Sequence, residues 1–218
     1  MGSTTVHSEL TKEIVIMDRR SLLRDSSAVA FGAFALGAVA GGNPALAHGA
    51  DHYTPMPDPA TNPVPNPPFP SGLSSAEHAH LKTFDELDFD VFTHQDWDRL
   101  GESHAPNIRV HWPDGHFTDG IDRHIADLKA LFVWAPDTRI HEHPLRLATN
   151  GLTAVTGVMR GTFTQPMPDG NGGHIQPTGK KYAINMATVG IWNKRKGYMD
   201  EEFLFWDNQA FYAQIGLG

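Results

Sequence analysis

Six histidines, His104, His111, His116, His124, His141 and His143, fall within 40 residues of one another. Imidazole titrates near neutral pH, so it serves as a proton shuttle, a hydrogen-bond donor or a metal ligand. Were Thr138 to Thr149 a strand, alternation would put His141 and His143 on one face. That pair, with Asp114 or Asp119 as a third ligand and Glu142 facing away, has the makings of a metal site. The competing reading, and the one favoured, leaves them as exposed strand residues or as one satisfied core histidine, with no metal and no cofactor. His124, His78 and His80 read as helix-surface residues. His111 and His116 flank the break in HWPDGH.

One carboxylate also stands out. The chain closes on EEFLFWDNQAFYAQIGLG, where Asp207 separates an alternating run from a stretch of helical spacing. Placed just before AFYAQI, it can cap a helix by accepting from the backbone N–H of Gln209 or Ala210. Placed among Phe203, Phe205, Trp206 and Phe211, it would be partly desolvated, which raises a carboxyl pKa and makes a better base near neutrality. Asparagine in its place keeps the cap and loses the base.

The elements that must position these groups begin after a long preamble. From Met17 to Gly49 run paired arginines Arg19 and Arg20, an Ala- and Gly-rich apolar stretch, and Ala45-Leu46-Ala47. That order is a secretory leader with cleavage after Ala47. Arg19 and Arg20 followed by Leu22 and Leu23 resemble a twin-arginine signal, which implies export of the folded protein to the periplasm or beyond by that machinery. Residues 1–16 read as an extension, with Met17 a plausible start. Residues 48–72 are a proline-rich linker or arm, in which Tyr53, Met56 and Phe69 can pin the chain to a surface. The domain proper spans residues 73–218. The absence of cysteine excludes disulfides and thiolate chemistry. A net charge of −8 with no basic block excludes a nucleic-acid partner.

Within the domain, Ser74 or Ser75 caps a helix whose Leu81, Phe84, Leu87, Val91 and Phe92 recur near helical spacing. A second short helix spans Asp96 to His104 and ends at Pro106. A strand follows from Ile108 to Trp112, and Gly120 opens the helix IDRHIADLKALFVW, apolar along Ile121, Ile125, Leu128, Leu131 and Phe132. Strands over Thr138–Thr149 and Leu152–Gln165 flank the hairpin signal Asn150-Gly151. Strands over Lys180–Asn193 and Tyr198–Trp206 flank the Gly197 turn. The sum is an α+β layout, helices first and a mostly antiparallel sheet after them.

The segment VHWPDGHFTDGIDRHIADL, Pro177-Thr178-Gly179, the Gly197 turn and the run from Glu201 through Trp206-Asp207 to Gln214 and Gly216-Leu217 together resemble the SnoaL-like polyketide cyclase family. That resemblance implies the cone-shaped half-barrel named after nuclear transport factor 2, its sheet bent around a deep apolar pocket. It implies Asp207 as general base, and it sets His111, His116 and Trp112 at the cavity mouth, where histidine can donate to an enolate oxygen or return a proton. Trp112, Phe163, Tyr182, Met186, Asn193, Phe205, Trp206 and Phe211 are the expected substrate contacts. Phe163 and Asn193 depart from the pattern, standing where the family often has His, or His or Arg. The implied activity is cofactor-independent lyase, isomerase or cyclase chemistry on a small apolar molecule bearing a carbonyl or hydroxyl, carried out by a homodimer. A non-catalytic periplasmic domain holding a hydrophobic ligand is the alternative. An epoxide hydrolase or dehydratase is a third reading, and it requires a second carboxylate or a His reaching into the cavity beside Asp207.

Overall fold

The computed structural model describes residues 66–218. The expected leader and most of the proline-rich arm, with Tyr53 and Met56, lie outside the described residues. The main unit comprises residues 66–167 and 176–218, while Pro168–Ile175 groups apart.

Helix α1 (Ser75–Glu86) starts where a reciprocal capping box closes, Ser74 accepting from the Glu77 N–H while Glu77 accepts from the Ser74 N–H. The helix then widens into a π-helical stretch, Leu87–Phe92. Each such turn takes an extra residue and re-aims the side chains after it, a device frequent at functional sites. A 3₁₀ turn, Trp97–Glu102, precedes strand β1 (His104–His111). The strand therefore begins four residues before the expected Ile108 and contains Pro106. Proline has no N–H for a ladder, and the pairing of β1 shifts register between His104 and Arg109 to pass it.

Strand β2 (Phe117–Asp119) folds back on β1, and Gly120, at φ 93°, turns the chain into helix α2 (Ile121–Trp134). The strand expected over Thr138–Thr149 shrinks to β3 (Arg146–Thr149), preceded by an isolated bridge from Arg139 to Arg160. Pro144 cannot donate to a ladder, and pairing resumes only beyond it. Strand β4 (Leu152–Thr162) follows the Asn150-Gly151 turn, whose two positive φ angles, 46° and 84°, suit a type I′ hairpin. The short strands β5 (Met167–Pro168) and β6 (His174–Ile175) pair with each other. In the small unit, Asp169 Oδ1 accepts from the N–H groups of Asn171 and Gly173. Strands β7 (Lys181–Trp192) and β8 (Met199–Trp206) lead to helix α3 (Asn208–Ile215).

The six-stranded sheet has the order β2-β1-β8-β7-β4-β3. Every pairing in it is antiparallel except that of β1 with β8. Leu81, Phe84, Leu87, Val91, Ile108, Val110, Val155, Trp192, Met199 and Leu204 form the core between helix α1 and the sheet. This is the expected α+β half-barrel, a curved and mostly antiparallel sheet not closed into a barrel. Among the described residues no helix is long and apolar enough to cross a membrane.

Candidate active site

A cavity of about 150 Å³ lies between helices and sheet. It is lined by Leu87, Asp88 and Phe92 of the π-helical stretch, by His124, Asp127, Leu128 and Leu131 of α2, and by Met159, Met186, Thr188, Glu202, Leu204 and Trp206 of the sheet. Trp112, Ile140 and Phe211 complete it. An apolar void of about this size encloses one benzene-sized ring, so the cavity suits a small ligand rather than a polycyclic one.

Two polar poles enter this apolar wall. The first is Asp88, backed by His143. His143 is fully buried, its Nδ1 2.7 Å from Asp85 Oδ1 and its Nε2 2.8 Å from Asp88 Oδ2. Asp85 is held bidentately by the buried Arg146, at 2.9 and 2.8 Å. Burial pushes the Asp88 carboxyl up from its ordinary value, against the opposing bond to His143. Burial would lower His143, but its bonds to Asp85 and Asp88 outweigh that and raise it. For Asp85 the bonds to His143 and Arg146 outweigh burial and lower it. Both ring nitrogens of His143 thus face carboxylate oxygens, and Arg146 balances Asp85. The end of the proline-rich arm seals this network. Asn66 donates to the His141 carbonyl and accepts from the His143 N–H, Pro67 accepts from Arg146, and Phe69 lies under the Arg146 guanidinium. Phe69 thus pins the arm, as its residue type allowed.

The second pole is Glu202 with His124 and His104, which are 4%, 2% and 1% exposed. Glu202 Oε2 stands 3.4 Å from His104 Nε2 and 3.5 Å from His124 Nε2. Burial, reinforced by His104, holds His124 well below the usual histidine range, so it is a neutral imidazole. Thr188, 1% exposed, has a hydroxyl buried in the same lining without a hydrogen-bond partner among the described residues.

The structure brings Trp112, Met186, Trp206 and Phe211 together around the cavity. Phe163 and Tyr182 are buried beside it without lining it. Phe163 packs edge-on to Trp134, and the Tyr182 hydroxyl lies 2.5 Å from that of Thr138. Phe205 points to the other face of the sheet, 52% exposed. Asn193 shapes the Gly197 turn, its Oδ1 accepting from the N–H groups of Arg195 and Lys196. His111 bonds Glu201 at 3.0 Å and stacks on Phe203, outside the lining. His116 is exposed, bonded to Asp114 and stacked on Trp112. The imagined His141 and His143 pair does not form: His141 is exposed, while both ring nitrogens of the buried His143 are engaged. His124 and His80 are corrected from surface to interior, His80 stacking on Trp192.

Asp207 is exposed and caps α3, its Oδ1 accepting from the Ala210 N–H at 2.9 Å, and it is not part of the lining. Asp207→Ala is expected to cost about 1 kcal/mol in denaturant unfolding, and Asp207→Asn only a few tenths. Equal losses in the two variants would exclude capping as its contribution. Turnover by Asp207→Asn reports separately on the proton-transfer role that the family likeness implies.

Asp88, Thr188 and Glu202 were not read as site residues from the sequence, and His104 and His124 were singled out only by type, although three of the five carried a signal. Asp88 lies four residues after Phe84 and three before Val91 on the apolar stripe. His124 is spaced with Ile121 and Leu128 on the apolar stripe of α2, and Glu202 shares its strand face with Leu204 and Trp206.

Known proteins agree with this architecture. A protein from Jannaschia sp. CCS1 assigned to the SnoaL-like polyketide cyclases superposes with a TM-score of 0.59 at 20% identity, over 68% of this chain and 99% of its own. IdmH from Streptomyces antibioticus, assigned as a polyketide cyclase, gives 0.53 at 20%, over 66% and 99%. An NTF2-like protein of unknown function from Burkholderia pseudomallei K96243 gives 0.51 at 16%, over 66% and 99%. At these identities the likeness speaks for the fold. No curated protein matches the chain. The model of the SnoaL-like polyketide cyclases matches residues 84–215, more than half of the chain and every element from the end of α1 to α3, so the chain belongs to that family.

Proposed function

We propose that this protein is an enzyme of cyclase, isomerase or lyase type that moves a proton on a small apolar substrate bearing a carbonyl or hydroxyl group. The observation that carries the reading is Asp88, a carboxyl whose pKa burial raises, set in an apolar cavity with an imidazole bonded behind it. The Asp88 and His143 pair gives a proton to the substrate, or takes one from carbon next to its carbonyl. Thr188 and His124, across the lining, meet the substrate oxygen. The dehydratase or epoxide hydrolase form of the reaction needs a carboxylate or His in the cavity beside Asp207, and Asp207 does not line this cavity.

The test is α-hydrogen exchange in D₂O with cyclohexanone and acetophenone as probes, read by NMR. Exchange faster than buffer in the wild type, and slowed in Asp88→Asn, supports the reading. Saturable quenching of tryptophan fluorescence without exchange instead supports the ligand-holding alternative and overturns the enzyme. Export of the folded protein is part of the same proposal and rests on Arg19 and Arg20. Unchanged export after lysine replacement of both arginines would remove it.

A further inference from the structure

We propose that His104 Nε2, His124 Nε2 and Glu202 Oε2 form a three-ligand site for a divalent transition-metal ion of the zinc class, with its open position toward the cavity. Among the described residues these three bring their ligand atoms within 4.8 Å of one another.

The three side chains meet in a dry interior. His104 Nε2 and His124 Nε2 both face Glu202 Oε2, and behind His104 the Ser103 hydroxyl stands 2.8 Å and the Leu100 carbonyl 3.3 Å from Nδ1. Either a direct hydrogen bond or a shared metal ion can hold such groups together.

The spacing favours the metal. Where this protein bonds a buried histidine directly to carboxylates, at His143, the distances are 2.7 and 2.8 Å. Around Glu202 they are 3.4 and 3.5 Å, beyond the roughly 2.7–3.2 Å of N–H···O bonds. Ligand bonds of about 2.0–2.1 Å in tetrahedral geometry separate neighbouring ligand atoms by about 3.3 Å. The observed separations match co-ligands. Two imidazoles and one carboxylate suit zinc, cobalt, iron or nickel rather than calcium or magnesium. Ser103 and Leu100 supply the outer contact that orients a metal-bound histidine. His124 and Glu202 line the cavity, as does the unpartnered Thr188 hydroxyl, so a fourth ligand comes from water or from the substrate's oxygen. Ion binding stands apart from the proton-transfer reading, and only its consequence, polarisation of the substrate's oxygen, rests on it.

The experiment uses the protein without a histidine tag, stripped with a chelator and titrated calorimetrically with Zn²⁺ and spectroscopically with Co²⁺. One ion per chain and the visible bands of tetrahedral Co²⁺ are expected. Glu202→Gln should weaken binding about 100-fold or more, and Ser103→Ala about 10- to 100-fold, while His141→Gln leaves it unchanged. Failure of the folded wild type to take up either ion overturns the site whatever the variants do, and so does undiminished binding by folded Glu202→Gln. Ion uptake without α-hydrogen exchange keeps the metal site and overturns the proton-transfer reading. Full exchange by chelated protein that takes up no ion does the reverse.

Discussion

Replacing His143 with alanine is expected to destabilise the fold by about 3–5 kcal/mol, the usual consequence of removing one partner from a buried ionic network. The ring is fully buried between Asp85 and Asp88 and also packs against Phe89 at 4.6 Å between ring centres. Its loss leaves a cavity and strips Asp88 of its partner, whereas Asp85 keeps Arg146. For a domain of this size the melting temperature should fall by about 10 °C. A shift within 1 or 2 °C would show that the network adds little. The same groups set a stability profile against pH. His143 is raised in the fold, so its contribution is complete below its unfolded value of 6.5 and is lost as pH rises through its folded value. Asp85 is lowered, so its contribution is complete above 3.8 and is lost as pH falls. His124, also lowered, contributes above 6.5 and is lost as pH falls. Melting temperature should therefore decline on both sides of neutrality. The alkaline decline should vanish in the Asp88→Asn, His143→Gln double variant, where neither residue titrates.

Asp88→Asn is expected to slow substrate turnover and α-hydrogen exchange by a factor of about 10² to 10⁴, the range lost with a general acid or base. Asparagine preserves the shape and can still accept from His143, so stability should change far less than with His143→Ala. The loss should fall on kcat rather than KM, because the substituted atom still lines the cavity and no longer exchanges a proton. A parallel loss of folding would point to packing instead. Exchange at the wild-type rate in a folded variant would move the proton-transfer role to another residue.

The hairpin at Asn150-Gly151 and the apolar stripe of α2 were legible because their causes are local: positive-φ turn chemistry, and spacing along one helix. Trp112, Met186, Trp206 and Phe211 were legible as cavity residues only through the family likeness, since aromatic type does not distinguish lining from the neighbouring core, where Phe163 and Tyr182 lie. His124 and Glu202 obeyed the spacing of buried positions, and their polarity argued the other way. Asp88 likewise obeyed it, four residues after Phe84 and three before Val91 on the apolar stripe, and its charge argued the other way. Asp207 could be read as cap or base, and its hydrogen bond is that of a cap.

The parallel pairing of β1 with β8 joins the beginning of the sheet to its end, so that His104 and Glu202 meet across 98 residues of sequence. A nascent chain can form α1 and the hairpin of β3 and β4 while synthesis continues, but the Glu202 pole has no place to stand until the ribosome has released the last strand. A contact this distant is also slow to find, since the entropy of closing so long a loop is lost before the contact rewards it. A chain that stops before Met199 keeps much of its apolar surface and lacks both the β8 strand and the carboxylate.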